Sequence, residues 1–449
     1  MRTCREILNG EQRIAEKKGP QRKVNYVESD LTFCAECGTI SLPMDSAAKP
    51  SSLLSSTPGS RFFSIDALRG LVMIIMALDH VRDFFHASAM SFSPTDLSRT
   101  TPVLFFTRWI THYCMPVFMF AAGMGAFLYG QRRQKSQLAR FLLTRGLWFI
   151  VLELTVMQFA YNFNFSFRFL IFLLILWIFG ICMVAMAALV YLPMRVLAAL
   201  SLAIIILHNC LDGISAAQFG SWSWVWNLLH QPGAIPVAGK PVLVPYTLLP
   251  WVGVMAAGYC FAQVFLLESQ ARQRIMFRLG LASTVAFLVL RAINRYGDPV
   301  PWSHQKSAVF TALSFLNCTK YPGSLDFLLM TLGPSLLLLA YFDRRTFKFA
   351  NPLIIFGRVP MFYFVLHFYL IHILVVLAAF IRYGTGASKF IFNLVPSMGS
   401  PREMFPPNFG YSLWVAYGVW ILVVVLLYPV CLWFAKVKAR RKDWWLSYL

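Results

Sequence analysis

The sequence predicts an all-α polytopic membrane protein with about ten transmembrane helices and both termini cytoplasmic. Three observations carry this expectation. Of 449 residues, 58% are hydrophobic and only 13% are charged, where a soluble domain carries about 25% charged residues. Apolar runs close to the roughly 20 residues that a helical span needs recur along the chain. The 40 Lys and Arg, set against 19 Asp and Glu for a net charge of +21, gather in short segments between those runs. That is the pattern of cytoplasmic loops, not of a nucleic-acid groove, and no nucleic-acid partner is expected.

Taken in order, residues 1–60 are polar and end in the Ser/Pro-rich run Pro50 to Ser60, which cannot bury a core, so they are expected to form a disordered cytoplasmic tail. Met44-Asp45 would also serve as a start, which makes residues 1–43 a candidate gene-model artefact. Cys34-Ala35-Glu36-Cys37 is a lone C-x-x-C, and nine cysteines are an odd number with no disulfide framework. No metal site is expected. A membrane domain follows over 61–440, and 441–449 form a basic and aromatic tail.

The first helix, Arg61 to His86, is followed by spans at about Val103 to Tyr129, Phe141 to Tyr161, Phe169 to Leu192, Met194 to Leu211 and Pro245 to Leu267. The rest are at about Leu279 to Tyr296, Leu325 to Phe342, Pro352 to Ile381, and from near Tyr411 to Ala435. Strongly basic segments come after the second, sixth, eighth and tenth, which puts them on one side and three long loops on the other. A multi-pass protein of the cell inner membrane is the expectation.

The first helix is unusual because it carries charge at both ends. Ionisable groups at membrane depth face a cavity or a partner. At about 100° per residue, Asp66, Arg69 and His80 fall near one line of the helix. Asp79 adjoins His80, and Arg82, Asp83 and His86 crowd the far end. All eight histidines map to mid-membrane or to the outer half and its loops. Arg108 with His112, and Tyr363 with His367, are spaced as i,i+4 pairs. His372 stands about 140° round the helix from His367, so one of the two is structural. Glu153 is a buried carboxylate that could orient a histidine or neutralise an arginine. Arg69, Arg145 and Arg358 lie toward the inner side, where they could hold phosphates or anchor helices by snorkelling. Pro360 is expected to kink the ninth span.

Leu68-Arg69-Gly70 followed by His80 resembles the Arg-x(10)-His signature of the membrane-embedded acyltransferase superfamily. PVFMFAAG, Pro116 to Gly123, is similar to that superfamily's second-helix pattern, and Arg140 with Arg145 to the basic start of its third helix. Within it, DHVRDFFH, TRWITHYC, KYPGSLDFLLMTLGP and FGRVPMFYFVLHFYLIH resemble the bacterial membrane domain named after heparan-α-glucosaminide N-acetyltransferase. His86-Ala87-Ser88 matches the start of the H-A-S-W-N-G string that holds the animal enzyme's catalytic histidine, whereas Ala89-Met90-Ser91 departs from it.

The resemblance implies a membrane acyltransferase that moves an acyl group, foremost acetyl, from a cytosolic acyl-CoA to a glycan or lipid-linked acceptor at the outer face. It implies His80 as general base or transient acyl carrier, Arg69 as its electrostatic partner, and His86, His112 and Glu153 as supporting groups. Arg69, Arg145 and Arg358 would then bind the donor. The rival reading is a transporter using an intramembrane His/Arg/Glu relay.

Overall fold

The computed structural model describes residues 62–447 apart from 165–170, 238, 350 and 442. The expected tail and its Cys34/Cys37 pair lie outside the described residues. The chain is helical throughout its membrane part: α1 is Phe63–Phe85, α2 Pro102–Trp109, α3 Cys114–Gly130, α4 Lys135–Leu152, α5 Gln158–Asn162, α6 Ile175–Leu189, α7 Met194–Leu207 and α8 Ser223–Leu229. Then come α9 Leu248–Phe261, α10 Ser269–Ile293, α11 Ala308–Leu316, α12 Leu325–Asp343, α13 Pro352–Arg358, α14 Pro360–Tyr383 and α15 Leu413–Arg440. Among the described residues, eight helical segments are long and apolar enough to cross a membrane. The other two expected spans are α1, which is too charged to meet that description, and α6, which is a shorter apolar helix.

α1 is the hub. It packs against α3, α12, α13, α14 and α15, so protein rather than lipid surrounds its charges. The closest of these contacts is built from glycine. A Cβ on Gly70 would stand 1.8 Å from the Leu353 carbonyl oxygen, and one on Gly357 would stand 1.8 Å from that of Asp66, so α1 and α13 meet backbone to backbone. α3 and α9 repeat the device through Gly123 and Gly258, whose added carbons would meet backbone oxygens at 1.9 and 2.1 Å. Lipid tails are as apolar as leucine, so helices in a bilayer are held by such close packing rather than by the hydrophobic effect.

Four boundaries differ from the sequence expectation. The basic segment before the seventh span is not a loop but the first turns of α10, because Arg272 bonds Asp343 at 2.9 Å and covers the Phe62 and Phe265 rings. Pro360 does more than kink the ninth span: the helix breaks at Val359 into α13 and α14. The second span is interrupted by a 3-10 turn at Ile110–Tyr113. The first described residues of the fourth span form a strand instead. Ile171–Phe172 (β1) pairs in parallel with Lys240–Val244 (β3), itself paired antiparallel with Gly233–Val237 (β2). This small sheet closes one end of the bundle and supplies Phe172 and Leu243 to the site.

Candidate active site

Two cavities flank the middle of α1. One, toward the C-terminal half of α1 and labelled outer only after the charge rule, is about 670 Å³ and is bordered by Asp79, His80, Arg82, Arg108, Lys320 and Tyr321 among others. The inner one, of about 360 Å³, is bordered by Arg69, Tyr129, Phe141, Arg145, Phe149 and Lys438. Met76, Ile175 and Phe364 border both, so these three side chains form a septum between the cavities. Arg69 and His80 share a face of α1, yet they open on opposite sides of that septum, about 16 Å apart along the helix at 1.5 Å per residue.

His80 is held by a second histidine. Its Nδ1 lies 2.6 Å from Nε2 of His367, whose own Nδ1 lies 3.1 Å from the Tyr363 carbonyl oxygen. A carbonyl only accepts, so His367 carries its proton on Nδ1 and, when neutral, offers a lone pair at Nε2. His80 must then donate from Nδ1, which leaves the lone pair of its Nε2 for the cavity that its ring borders. Packing locks the arrangement: His367 is 0% exposed, lies parallel to the Tyr363 ring, and meets His80 edge to edge with centroids 4.9 Å apart.

Beside this pair lies a buried ionic network. Asp79 accepts from Arg108, and its Oδ1 lies 2.9 Å from Arg82 Nη2, which also donates to Asp83 Oδ1 at 2.5 Å. The i,i+3 spacing of Asp79 and Arg82 on α1 makes the pair. Arg108 reaches it because α2 lies beside α1.

The remaining candidates take other places. His86 borders neither cavity; it stands just past α1, its backbone bridged to Tyr411. His112 is buried against Phe327. Glu153 sits in a π-turn between α4 and α5, 0% exposed, and accepts from the Leu176 backbone N–H at 2.9 Å and from the Tyr161 hydroxyl at 3.1 Å. It thus caps the N-terminus of α6 and reaches the outer cavity only through Tyr161. His372 donates from Nδ1 to the Ala160 carbonyl oxygen at 2.8 Å and stacks on Phe163, so it ties α14 to α5. Arg358 lies 3.8 Å from Asp66 and over the Phe349 ring, outside the inner cavity lining, whereas Arg145 borders that cavity over Phe149. Among the described residues no cluster of His, Cys, Asp and Glu could hold a metal ion.

Residues 61–296, more than half of the chain, match the family described as heparan-alpha-glucosaminide N-acetyltransferase, catalytic. The chain belongs to that family. No curated protein matches it. Membership places it among membrane acyltransferases, and its apolar helices make it a multi-pass protein. The segment matched to the heparan-alpha-glucosaminide N-acetyltransferase family contains Arg69, His80, Arg108, Arg145 and Glu153. The groups that sequence reading missed, Lys320, His367 as the partner of His80, and Lys438, all lie beyond it.

Proposed function

We propose that this protein transfers an acyl group, in the simplest case acetyl, from an acyl-CoA in the inner cavity to a glycan or lipid-linked acceptor in the outer cavity of a bacterial inner membrane. The observation that supports it best is the place of His80: beside the septum, with a lone pair fixed toward the outer cavity by His367. The inner cavity fits the narrow arm of such a donor. Its walls are mostly apolar and aromatic, and Arg69, Arg145 and Lys438 supply cations suited to phosphates. Its Lys438 belongs to the same basic C-terminal segment that the charge rule assigns to the cytoplasm.

In the transfer, His80 Nε2 takes the proton from the acceptor hydroxyl or amine as its oxygen or nitrogen attacks the thioester carbonyl. The carbon–sulfur bond breaks, the thiolate of CoA leaves into the inner cavity, and the acyl group stays on the acceptor. His367 keeps the His80 ring in the tautomer that can accept a proton. Arg69 donates to the Ala121 carbonyl oxygen at 2.6 Å, and acts on the donor side and not as an immediate partner of His80. His86, His112 and Glu153 support the bundle around the site.

Two opposed cavities with a thin septum are also the layout of a carrier, which keeps the transporter reading as the rival. Membranes holding the protein, incubated with radiolabelled acetyl-CoA, separate the two. Acceptor-dependent release of free CoA, absent in His80→Ala at equal abundance, is the expected result. Label that crosses the membrane without thioester cleavage would establish the carrier.

A further inference from the structure

The charge balance of the outer cavity shows what kind of molecule it takes. Its lining holds three cations, Arg82, Arg108 and Lys320, and two carboxylates, Asp79 and Asp83. Asp79 is shared by Arg108 and Arg82, and Asp83 is bonded to the same Nη2 of Arg82. Both carboxylates are therefore used by two of the three cations. Lys320 is left with its ammonium near the Tyr321 ring, 5.3 Å from the centroid, and among the described residues no carboxylate pairs with it. Arg82 is 2% exposed, and its Nε and Nη1 are buried donors without an acceptor.

An uncompensated positive charge in a low-dielectric wall is costly, and buried donors without acceptors cost about 1–3 kcal/mol each. A structure keeps such groups where something else completes them. The neighbouring phenol reports the same field. Burial would raise the Tyr321 hydroxyl above its ordinary value, but the Lys320 ammonium and the Arg108 guanidinium outweigh it and bring the group below that value. The hydroxyls of Tyr161, Tyr246 and Tyr321 and the Ser397 side chain complete a polar wall on the same cavity.

We infer that the outer cavity is an anion subsite, in which Lys320 holds a carboxylate or phosphate group of the bound molecule and the Arg82 and Arg108 guanidiniums in the same wall add their field. The acceptor is then an acidic saccharide or a phosphate-bearing glycolipid, and its neutral part carries the hydroxyl or amine to His80. Naming the bound molecule the acceptor rests on the transfer reading above; the anion subsite itself does not.

Binding tests this without turnover. The purified full chain in a polyoxyethylene detergent is titrated with sodium glucuronate, inorganic phosphate and glucose at constant ionic strength held by sodium chloride. The thermal midpoint rises with any ligand that binds only the folded state. Glucuronate, phosphate or both should raise it and glucose should not. Lys320→Gln should weaken the apparent affinity roughly tenfold or more, as loss of a charged hydrogen-bond partner does, and Lys320→Glu should remove it. A response to glucuronate alone assigns a carboxylate-bearing ligand, and to phosphate alone a phosphoryl-bearing one. Arg82→Gln is the second probe, and Lys320, which lies in a loop, serves if that variant fails to fold. Anion binding by the wild-type chain without any acyl transfer by that same chain would sink the transfer reading and leave the subsite standing. An anion response no larger than the chloride control, an equal response to glucose, or unchanged affinity in Lys320→Gln would overturn the subsite.

Discussion

Replacing His367 separates a positioning role from a packing one. In His367→Phe the ring plane and most of the volume survive, but the acceptor 2.6 Å from His80 Nδ1 is lost. His80 Nδ1–H then has no partner in a fully buried wall, and the favoured alternative is the tautomer with its proton on Nε2, which cannot act as base. Leaving one buried donor unpaired costs about 1–3 kcal/mol, and 1.36 kcal/mol is a factor of ten. Turnover should fall roughly 5- to 150-fold, with the KM for donor unchanged because His367 borders neither cavity. In His367→Gln the side-chain carbonyl can stand where Nε2 stood and accept the same proton, so this variant should recover most of the loss. The assay is CoA release from acyl-CoA by purified protein at saturating acceptor, with folded protein quantified for each variant. Equal turnover in wild type and His367→Phe would refute the reasoning, and so would a His367→Gln protein as slow as His367→Phe.

Three further outcomes follow from the geometry. His80→Ala should lower transfer by about 10²–10⁴, while His86→Ala, which alters a residue outside both cavities, should stay within roughly tenfold of wild type; the reverse order at matched membrane abundance would move the base to His86. Lys438→Gln should raise the donor KM about tenfold with kcat and the acceptor KM unchanged, as loss of a ground-state contact to a charged group does, read from initial rates over a range of acyl-CoA. Glu153→Gln keeps only one of the two oxygens that accept from the Leu176 N–H and the Tyr161 hydroxyl, and should cost about 1–3 kcal/mol of stability, seen as a lower thermal midpoint, with turnover per folded molecule kept; loss of turnover without loss of stability would assign Glu153 to the chemistry.

What the sequence made legible follows from what a one-dimensional pattern contains. The all-α polytopic class and the order of the apolar helices could be read because a bilayer demands about 20 apolar residues per crossing and leaves basic residues between crossings. The common face of Arg69 and His80 could be read from helical phase alone. Its meaning could not, since the septum that separates them comes from Ile175 and Phe364 on other helices as well as from Met76. The partner of His80 is 287 residues away, and no local period points to it. Asp79 and Arg82, at i,i+3, were the local sign of an ionic network that sequence reading passed over.

The septum also has an electrical consequence. Where two cavities approach each other, the membrane voltage falls mainly across the thin layer between them, at about 2.3 kcal/mol per unit charge per 100 mV. Under the proposed transfer, with an acyl-CoA on one side and an acceptor on the other, the path of the proton matters as much as the path of the acyl group. If His80 releases the acceptor's proton outward while the CoA thiolate is protonated from inside, each turnover carries one positive charge out, against an inside-negative potential. If the proton passes inward past Met76 and Phe364 to the thiolate, the reaction is electroneutral. Turnover in sealed vesicles with and without an imposed potential would distinguish the two, so three apolar side chains determine whether this chemistry draws on the cell's voltage.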